Sequence, residues 1–400
     1  MIKKAPIGKV SPVTAGLAFV ILLLLIITCK KPFNPTIVSN SVNYLVVEGT
    51  INTGTDTTFI KLSRTVKIDS TTTKPETGAT VIVQGDDGTS YPLSFYTSGT
   101  YYIAGLNLPA SHKYRLYIKT FDGHEYQSDF VENKITPQID SLNYKQVGQG
   151  VQLYVSSHDD NNATRYYRWD FDETWSYFSA LFGQLKFVDN QVEFLTGSEF
   201  YDECYKFAKP SNTIYVGSTA KLTKDVLYKA PLAYVYASSG KLAHVYSIFV
   251  RQYALTADGY NYWENLQKNT ETLGSIFDAQ PSSLAGNIHG VTDPKEVVIG
   301  FISASTTTTK RFFIEGRSLS LNTPQPPSVC TAKPGYIPIN PSVTLLTRLH
   351  QTLDSKDSLL YQADVDTRTG ITLGYYYAPA LCVDCRLQGG TNIKPSYWPY

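Results

Sequence analysis

From Tyr44 to Phe130 the sequence is a succession of short apolar–polar alternations, each cut off by turn residues. The runs are YLVVEGTI (44–51), TTFIKLSRTVKI (57–68), GATVIVQGDDGTSYPLSF (78–95), GTYYIAGL (99–106) and HKYRLYIKTFDGHEYQSDF (112–130). A period of two puts the apolar residues on one face of a strand. The Asp-Asp-Gly turn at 86–88 and the Asp-Gly pair at 122–123 separate strand pairs, the second as a hairpin signal. Strands this short, at this spacing, predict an antiparallel sandwich. The content of Tyr 30 and Phe 18 agrees, because aromatic residues favour strands.

ENKITPQIDSLNY (132–144) reads as a domain joint, with Pro137 breaking pairing and a fresh strand from Ile139. Next come two strands around the Asp/Asn-rich turn HDDNN (158–162). In the second of them Tyr167, Trp169, Phe171, Trp175 and Tyr177 occupy odd positions and share a face. Further strands are expected at TIYVGS (213–218), LAYVYA (232–237), LAHVYSIFVRQYALT (242–256), KEVVIGFISAS (295–305) and KRFFIEG (310–316). Between them the period changes. Trp263, Leu266, Thr270 and Leu273 recur at helical spacing, with Asp258 as the expected cap and Gly274 as the stop. That single apolar stripe suits docking on a sheet. SVTLLTRLHQTL (342–353) fits strand and helix equally.

The N-terminus adds a location. Lys3, Lys4 and Lys9 precede an apolar stretch from Ala15 to Ile27. It is shorter than the roughly 20 residues a helix needs to span a bilayer, and the pattern is that of a secretory signal. Ile26, Thr28 and Cys29 fill the −3, −1 and lipid-acceptor places of a bacterial lipoprotein signal. Two acyl chains on Cys29 give stable anchoring. The competing reading is a signal anchor with Cys29 as apolar filler. KKPFNPTIVSNSVNY (30–44) then reads as a tether. Lys+Arg 35 against Asp+Glu 34 argues against a nucleic-acid partner, whose affinity rests on many basic contacts to phosphate.

With Cys29 assigned to lipid, Cys204, Cys330, Cys382 and Cys385 remain. An even number in an exported chain suggests disulfides, and four cysteines allow 3 connectivities. CVDC (382–385) also has the spacing of zinc and redox sites. Its flanks read as strand and turn, where a redox pair needs a helix N-terminus. Structural disulfide is therefore the first reading, metal the second and redox catalysis the third.

No nucleophile elbow, zinc-protease, P-loop or dinucleotide motif occurs, and no cofactor is indicated. His112, His124, His158, His244, His289 and His350 are scattered, with His124 beside a turn and His244 placed in a strand. Asp159/Asp160 and Asp172/Glu173 are adjacent pairs, and neighbours on a strand point to opposite faces. DVDTRTG (364–370) starts like a calcium loop but has Arg368 at the fifth place. Short Asp-Ser/Thr motifs at 69–71, 140–142 and 357–359 look like bacterial O-glycan acceptors.

Two resemblances follow from these residues. GATVIV, GTYYIAG and KYRLYIKTFDGHEYQS resemble the transthyretin-like and carboxypeptidase-regulatory-like sandwiches. YLVVEG with IKLSRT, YYRWDFDETW, YSIFVRQYALT, YNYWENLQKNTETLGSIFDAQPSSLAGNIHG and CVDCRLQGGTNIKPSYW together resemble the bacterial family catalogued as domain of unknown function 4249. That resemblance implies an outer-membrane lipoprotein with a TonB-dependent receptor as partner, and it brings no catalytic residue.

The expected protein is all-β. Residues 1–28 are the signal peptide and 29–40 the tether. Residues 41–136 form an N-terminal sandwich of immunoglobulin or transthyretin type. Residues 137–400 form a larger fibronectin-like sandwich, with a helix near 258–273 and a cysteine-containing C-terminal segment. The expected function is a non-catalytic, membrane-anchored accessory or binding subunit of a TonB-dependent receptor system. The alternatives are a surface glycan- or peptide-binding module and a hydrolase with an unrecognised site.

Overall fold

The computed structural model describes residues 43–66, 74–209, 213–271, 286–324, 328–331, 333–340 and 344–399. All of them lie in one compact unit. Cys29, the tether, Leu273, Gly274 and the motif at 69–71 lie outside the described residues.

The chain is all-β. Its first sheet runs, in spatial order, Val298–Ile299, Leu45–Gly49, Thr58–Arg64, Thr100–Ile103 and Ser94–Thr97. The facing sheet runs Ile51–Asn52, Ala304–Ser305, Val131–Lys134, Lys113–Lys119, Glu125–Ser128 and Ile288–Gly290, with Thr80–Gly85 also on Lys113–Lys119. Leu45, Val47, Ile60 and Leu62 from one sheet meet Val81, Val83, Leu116 and Ile118 from the other in a single core. Alternation does this work: Tyr114, Leu116 and Ile118 are buried while Lys113 and Lys119 are exposed. Each such aliphatic side chain contributes about 1.5–3 kcal/mol by leaving water.

The second sandwich pairs Ile139–Val147, Gly150–His158 and Val226–Tyr236 against Glu203–Ala208, Tyr166–Phe178, Val245–Ala254 and Thr307–Glu315. Val151, Leu153 and Val155 pack on Tyr167, Trp169, Phe171, Ile248 and Val250. The odd face of Tyr166–Phe178 stays turned to the core beyond Phe171, with Glu173 buried and Trp175 packed on the same cluster, but the opposite face becomes buried as well. From Thr174 onward the even positions Thr174 and Ser176 are buried, and Trp175 and Tyr177 are half-buried. The ladder to Val245–Ala254 is unbroken there, so no bulge causes the change. The C-terminal segment covers the even face instead, Thr174 bonding the Tyr397 hydroxyl at 2.9 Å.

The division at residue 136 is corrected by the topology. Ile288–Gly290, Val298–Ile299 and Ala304–Ser305 return to the first sandwich and complete both of its sheets. Val298–Ile299 joins Leu45–Gly49 in parallel, and Ala304–Ser305 joins Ile51–Asn52 and Val131–Lys134 in parallel. The sheets are thus mainly, not wholly, antiparallel. The return covers an edge that would otherwise present free backbone and adds Val298, Ile302 and Ala304 to the core. It also splits the single strand expected over 295–305. Gly300 separates the two pieces at φ +139°, and a Cβ there would stand 2.2 Å from the Val47 carbonyl oxygen.

The chain therefore crosses between the sandwiches more than once, and two of the crossings are laced together. Thr306 donates its N–H to the Lys134 carbonyl at 3.0 Å. Thr136 donates its N–H to Thr306 Oγ1 at 2.8 Å, and its hydroxyl bonds the Thr306 carbonyl. The Gln252 amide and the Thr308 hydroxyl both donate to the Pro137 carbonyl at 2.9 Å.

The helix is Ala257–Glu271. Its cap is Thr256, not Asp258: Thr256 Oγ1 accepts from the Gly259 N–H at 3.2 Å. It docks on Tyr166–Phe178 and Tyr215–Ser218, as its stripe requires. The ambiguous run after residue 342 contains the helix Leu345–Leu353. That helix covers a three-stranded sheet, Gly335–Pro338, Thr372–Pro379 and Ser358–Val365. No described helix is long and apolar enough to cross a membrane.

Candidate binding groove

Tyr166–Phe178 alternates aromatic with charged residues, so burying Tyr167, Trp169 and Phe171 turns Arg168, Asp170 and Asp172 to the opposite face. Register places them directly across from Tyr253, Arg251 and Phe249. Arg251 bonds Asp170 through Nε and grips Asp172 with two N–H groups at 2.7 and 3.2 Å. Burial alone would raise the Asp172 carboxyl, but the Arg251 guanidinium outweighs it and holds its pKa below the usual range. Burial, then the Asp170 charge, pushes the Tyr253 hydroxyl up.

Arg168 is held differently. Its guanidinium lies between the Tyr253 and Trp263 rings, 4.6 Å from each centroid. Among the described residues its buried Nε has no acceptor. The Asp170 carboxylate stands 3.8 Å away from Nη2 and is already engaged by Arg251. Only 16% of the Arg168 side chain is exposed.

This face forms one wall of a cavity of about 660 Å³. The opposite wall comes from the first sandwich and includes Glu48, Asn52, Asp56, Phe59 and Lys61. Phe59 is 49% exposed and stacks on its cross-strand partner Tyr102 at 6.3 Å, while Tyr96 meets both edge-on. Three rings thus form an exposed platform at the groove. Arg168 also borders a second cavity of about 370 Å³, beneath Trp263, Leu266 and Phe301.

The residues singled out in the sequence are mostly elsewhere. Cys204 pairs with Cys385, and Cys330 with Cys382. The two cysteines of CVDC therefore have different partners. The flank before them is the expected strand, Thr372–Pro379, while the cysteines themselves sit in the short helices Ala380–Val383 and Cys385–Gln388, the second in place of the expected turn. No group of three or more metal-ligating side chains occurs among the described residues. Asp159 accepts the N–H groups of Asn161, Ala163 and Thr164 at 2.8–3.0 Å, so it serves its own turn. Asp366 does the same for Arg368 and Thr369. Asp172 and Glu173 point to opposite faces: Glu173 is buried with Lys241 and the Tyr246 hydroxyl.

His244 is in a bend just before Val245–Ala254, not in the strand. Its Nδ1 contacts Ser176 Oγ at 2.7 Å and Glu203 at 3.7 Å. A nucleophile relay needs the hydroxyl and the carboxylate on opposite ring nitrogens, and Ser176 is fully buried. The trio is structural. Sequence reasoning passed over Arg168, Arg251 and Phe59. The signal was present as Arg, Asp and Asp at alternate positions behind a buried aromatic face.

The family model for domain of unknown function DUF4249 matches residues 30–311. The chain belongs to the DUF4249 family. Both walls of the groove lie inside the matched span, so the groove is built from DUF4249 residues. A search of curated proteins finds no match. Among solved structures, trypsin-activated alpha-2-macroglobulin from Escherichia coli is similar at 11% identity and TM-score 0.19, over 55% of this chain and 15% of that one. The Yersinia pseudotuberculosis adhesin InvE is similar at 12% identity and TM-score 0.14, over 54% of this chain and 58% of that one. The DUF4249 chain therefore spans less than two thirds of either.

Proposed function

We propose that this chain is a non-catalytic, lipid-anchored binding subunit of the bacterial cell envelope that works beside a TonB-dependent outer-membrane receptor. The observation that carries the binding role is the groove between the sandwiches, where Phe59 and Arg168 face one space. The engagement of Asp172 by Arg251 supports binding over acid–base chemistry, because a carboxyl held below its usual range is a poor proton carrier at neutral pH. The anchoring role is supported by the short apolar run ending on Cys29.

Affinity purification of the full chain from detergent-solubilised, cross-linked native cells tests the partnership. A β-barrel receptor should co-purify, and its absence after cross-linking sinks the proposal. Cys29→Ser should abolish membrane sedimentation or maturation.

A further inference from the structure

We infer that the groove takes an acidic glycan, with a sugar ring on the Phe59 platform and its carboxylate on Arg168. This rests on the binding-subunit reading and adds the ligand class. Two arginines share one sheet face and are held in opposite ways. Arg251 spends its donors on Asp170 and Asp172. Arg168 is fixed by two rings, its buried Nε has no acceptor among the described residues, and the Asp170 carboxylate stands beyond hydrogen-bond reach at 3.8 Å from Nη2. A guanidinium oriented by stacking is a preorganised fork for a planar oxyanion.

Charge narrows the ligand. The groove is lined by Lys61, Arg168, Lys209 and Arg251 against Glu48, Asp56 and Asp170. Asp172, gripped by Arg251 on the same face, brings the acidic groups level with the basic ones, so a single carboxylate meets less repulsion there than a dianionic phosphate. Lys61 is tied to Glu48 at 3.1 Å, which leaves Arg168 and the exposed Lys209 to meet the anion. The remaining wall offers short neutral polar groups, Thr50, Thr57 and Thr309 among them, suited to sugar hydroxyls. A flat exposed ring beside them is the surface on which the apolar face of a sugar stacks.

Isothermal titration of the full chain in detergent tests this with three probes: trigalacturonate, trimannuronate and 3′-sialyllactose. At least one should bind, and its methyl ester should bind about tenfold or more weakly, as loss of a charge-assisted pair requires. The ester comparison uses the wild-type chain and does not depend on any variant folding. Arg168→Gln should weaken the acid at least tenfold without affecting the ester. Arg168→Lys should not restore binding, since a point charge lacks the fork. Phe59→Ala should weaken acid and ester alike. Binding of none of the three acids, equal binding of acid and ester, or an unchanged Arg168→Gln overturns the inference. So does binding only of a free-acid tripeptide run in parallel. Receptor co-purification separates the two proposals. A receptor present with no acidic sugar bound breaks this inference alone, and a sugar bound with no receptor breaks the partnership alone.

Discussion

The first sandwich and the C-terminal part are stabilised by different means. In the first sandwich eighteen buried apolar side chains form one core, among the described residues, and no disulfide is present there. Among the described residues the C-terminal sheet divides its buried apolar side chains between two small clusters, Leu185, Ile337, Leu349 and Leu360 in one and Leu195, Tyr201, Ala378 and Val383 in the other. Both disulfides lie beside it. A small core cannot offset the chain entropy of folding, and covalent closure takes over where apolar burial is short. The same chain thus shows both solutions, chosen by how much apolar area each part can bury.

The sharpest way to break this comparison is to remove the Cys204–Cys385 bond, which spans 181 residues. Cys204→Ser with Cys385→Ser should cost about 5 kcal/mol by loop-closure entropy. Limited proteolysis should then cut first within 333–399 while the first sandwich resists. A single loss of both parts together would show that they are not separately stabilised. Next in size is a matched pair of truncations. Ile118→Ala in the large core should cost about 3 kcal/mol, and Leu360→Ala in the small one about 2 kcal/mol. Denaturant titration reads both, and a larger loss at Leu360 would reverse the ranking. Gly300→Ala tests how the return segment serves the first sandwich. Its Cβ would collide with the Val47 carbonyl, so a cost of about 1–3 kcal/mol from backbone strain is expected, read as a lower Tm.

The smallest effect is electrostatic and belongs to the groove between these extremes. Burial opposes but does not overcome the Arg251 pairing, so the Asp172 pKa is depressed in the folded chain. Its contribution is complete above the unfolded carboxylate pKa of about 4 and is lost as pH falls through the folded value. Asp172→Asn should therefore flatten the acid side of a Tm-against-pH profile. Identical acid slopes for wild type and variant would remove Asp172 from the account.

Much of this architecture was legible in the sequence. Period-two runs located most of the strands, and the Asp-Gly pair marked a real hairpin, with Gly123 at φ +92°. The change of period at residue 258 found the helix to within a residue at its start. Pairing was not legible. KEVVIGFISAS reads as one strand, yet whether it joins the nearer or the farther sandwich depends on which open edge it reaches, and no local pattern records that. The cap failed for a local reason: Thr256 and Asp258 are both good caps, and the chain bends at the earlier one. At the groove, aromatic periodicity drew attention to the buried face of Tyr166–Phe178. The informative residues stood on the other face, and their meaning depends on Trp263 from the helix and Phe59 from the first sandwich.

The paired threads at Thr136 and Thr306 carry a mechanical consequence. One peptide between two bodies is a swivel, whereas two tied side by side act as a strap that resists twisting. Such a strap, tied at Thr136 and Thr306, should hold the mouth of the groove at one width. On the proposed binding role, capture would need little loss of freedom from the protein, and its speed would be set by diffusion to an open site.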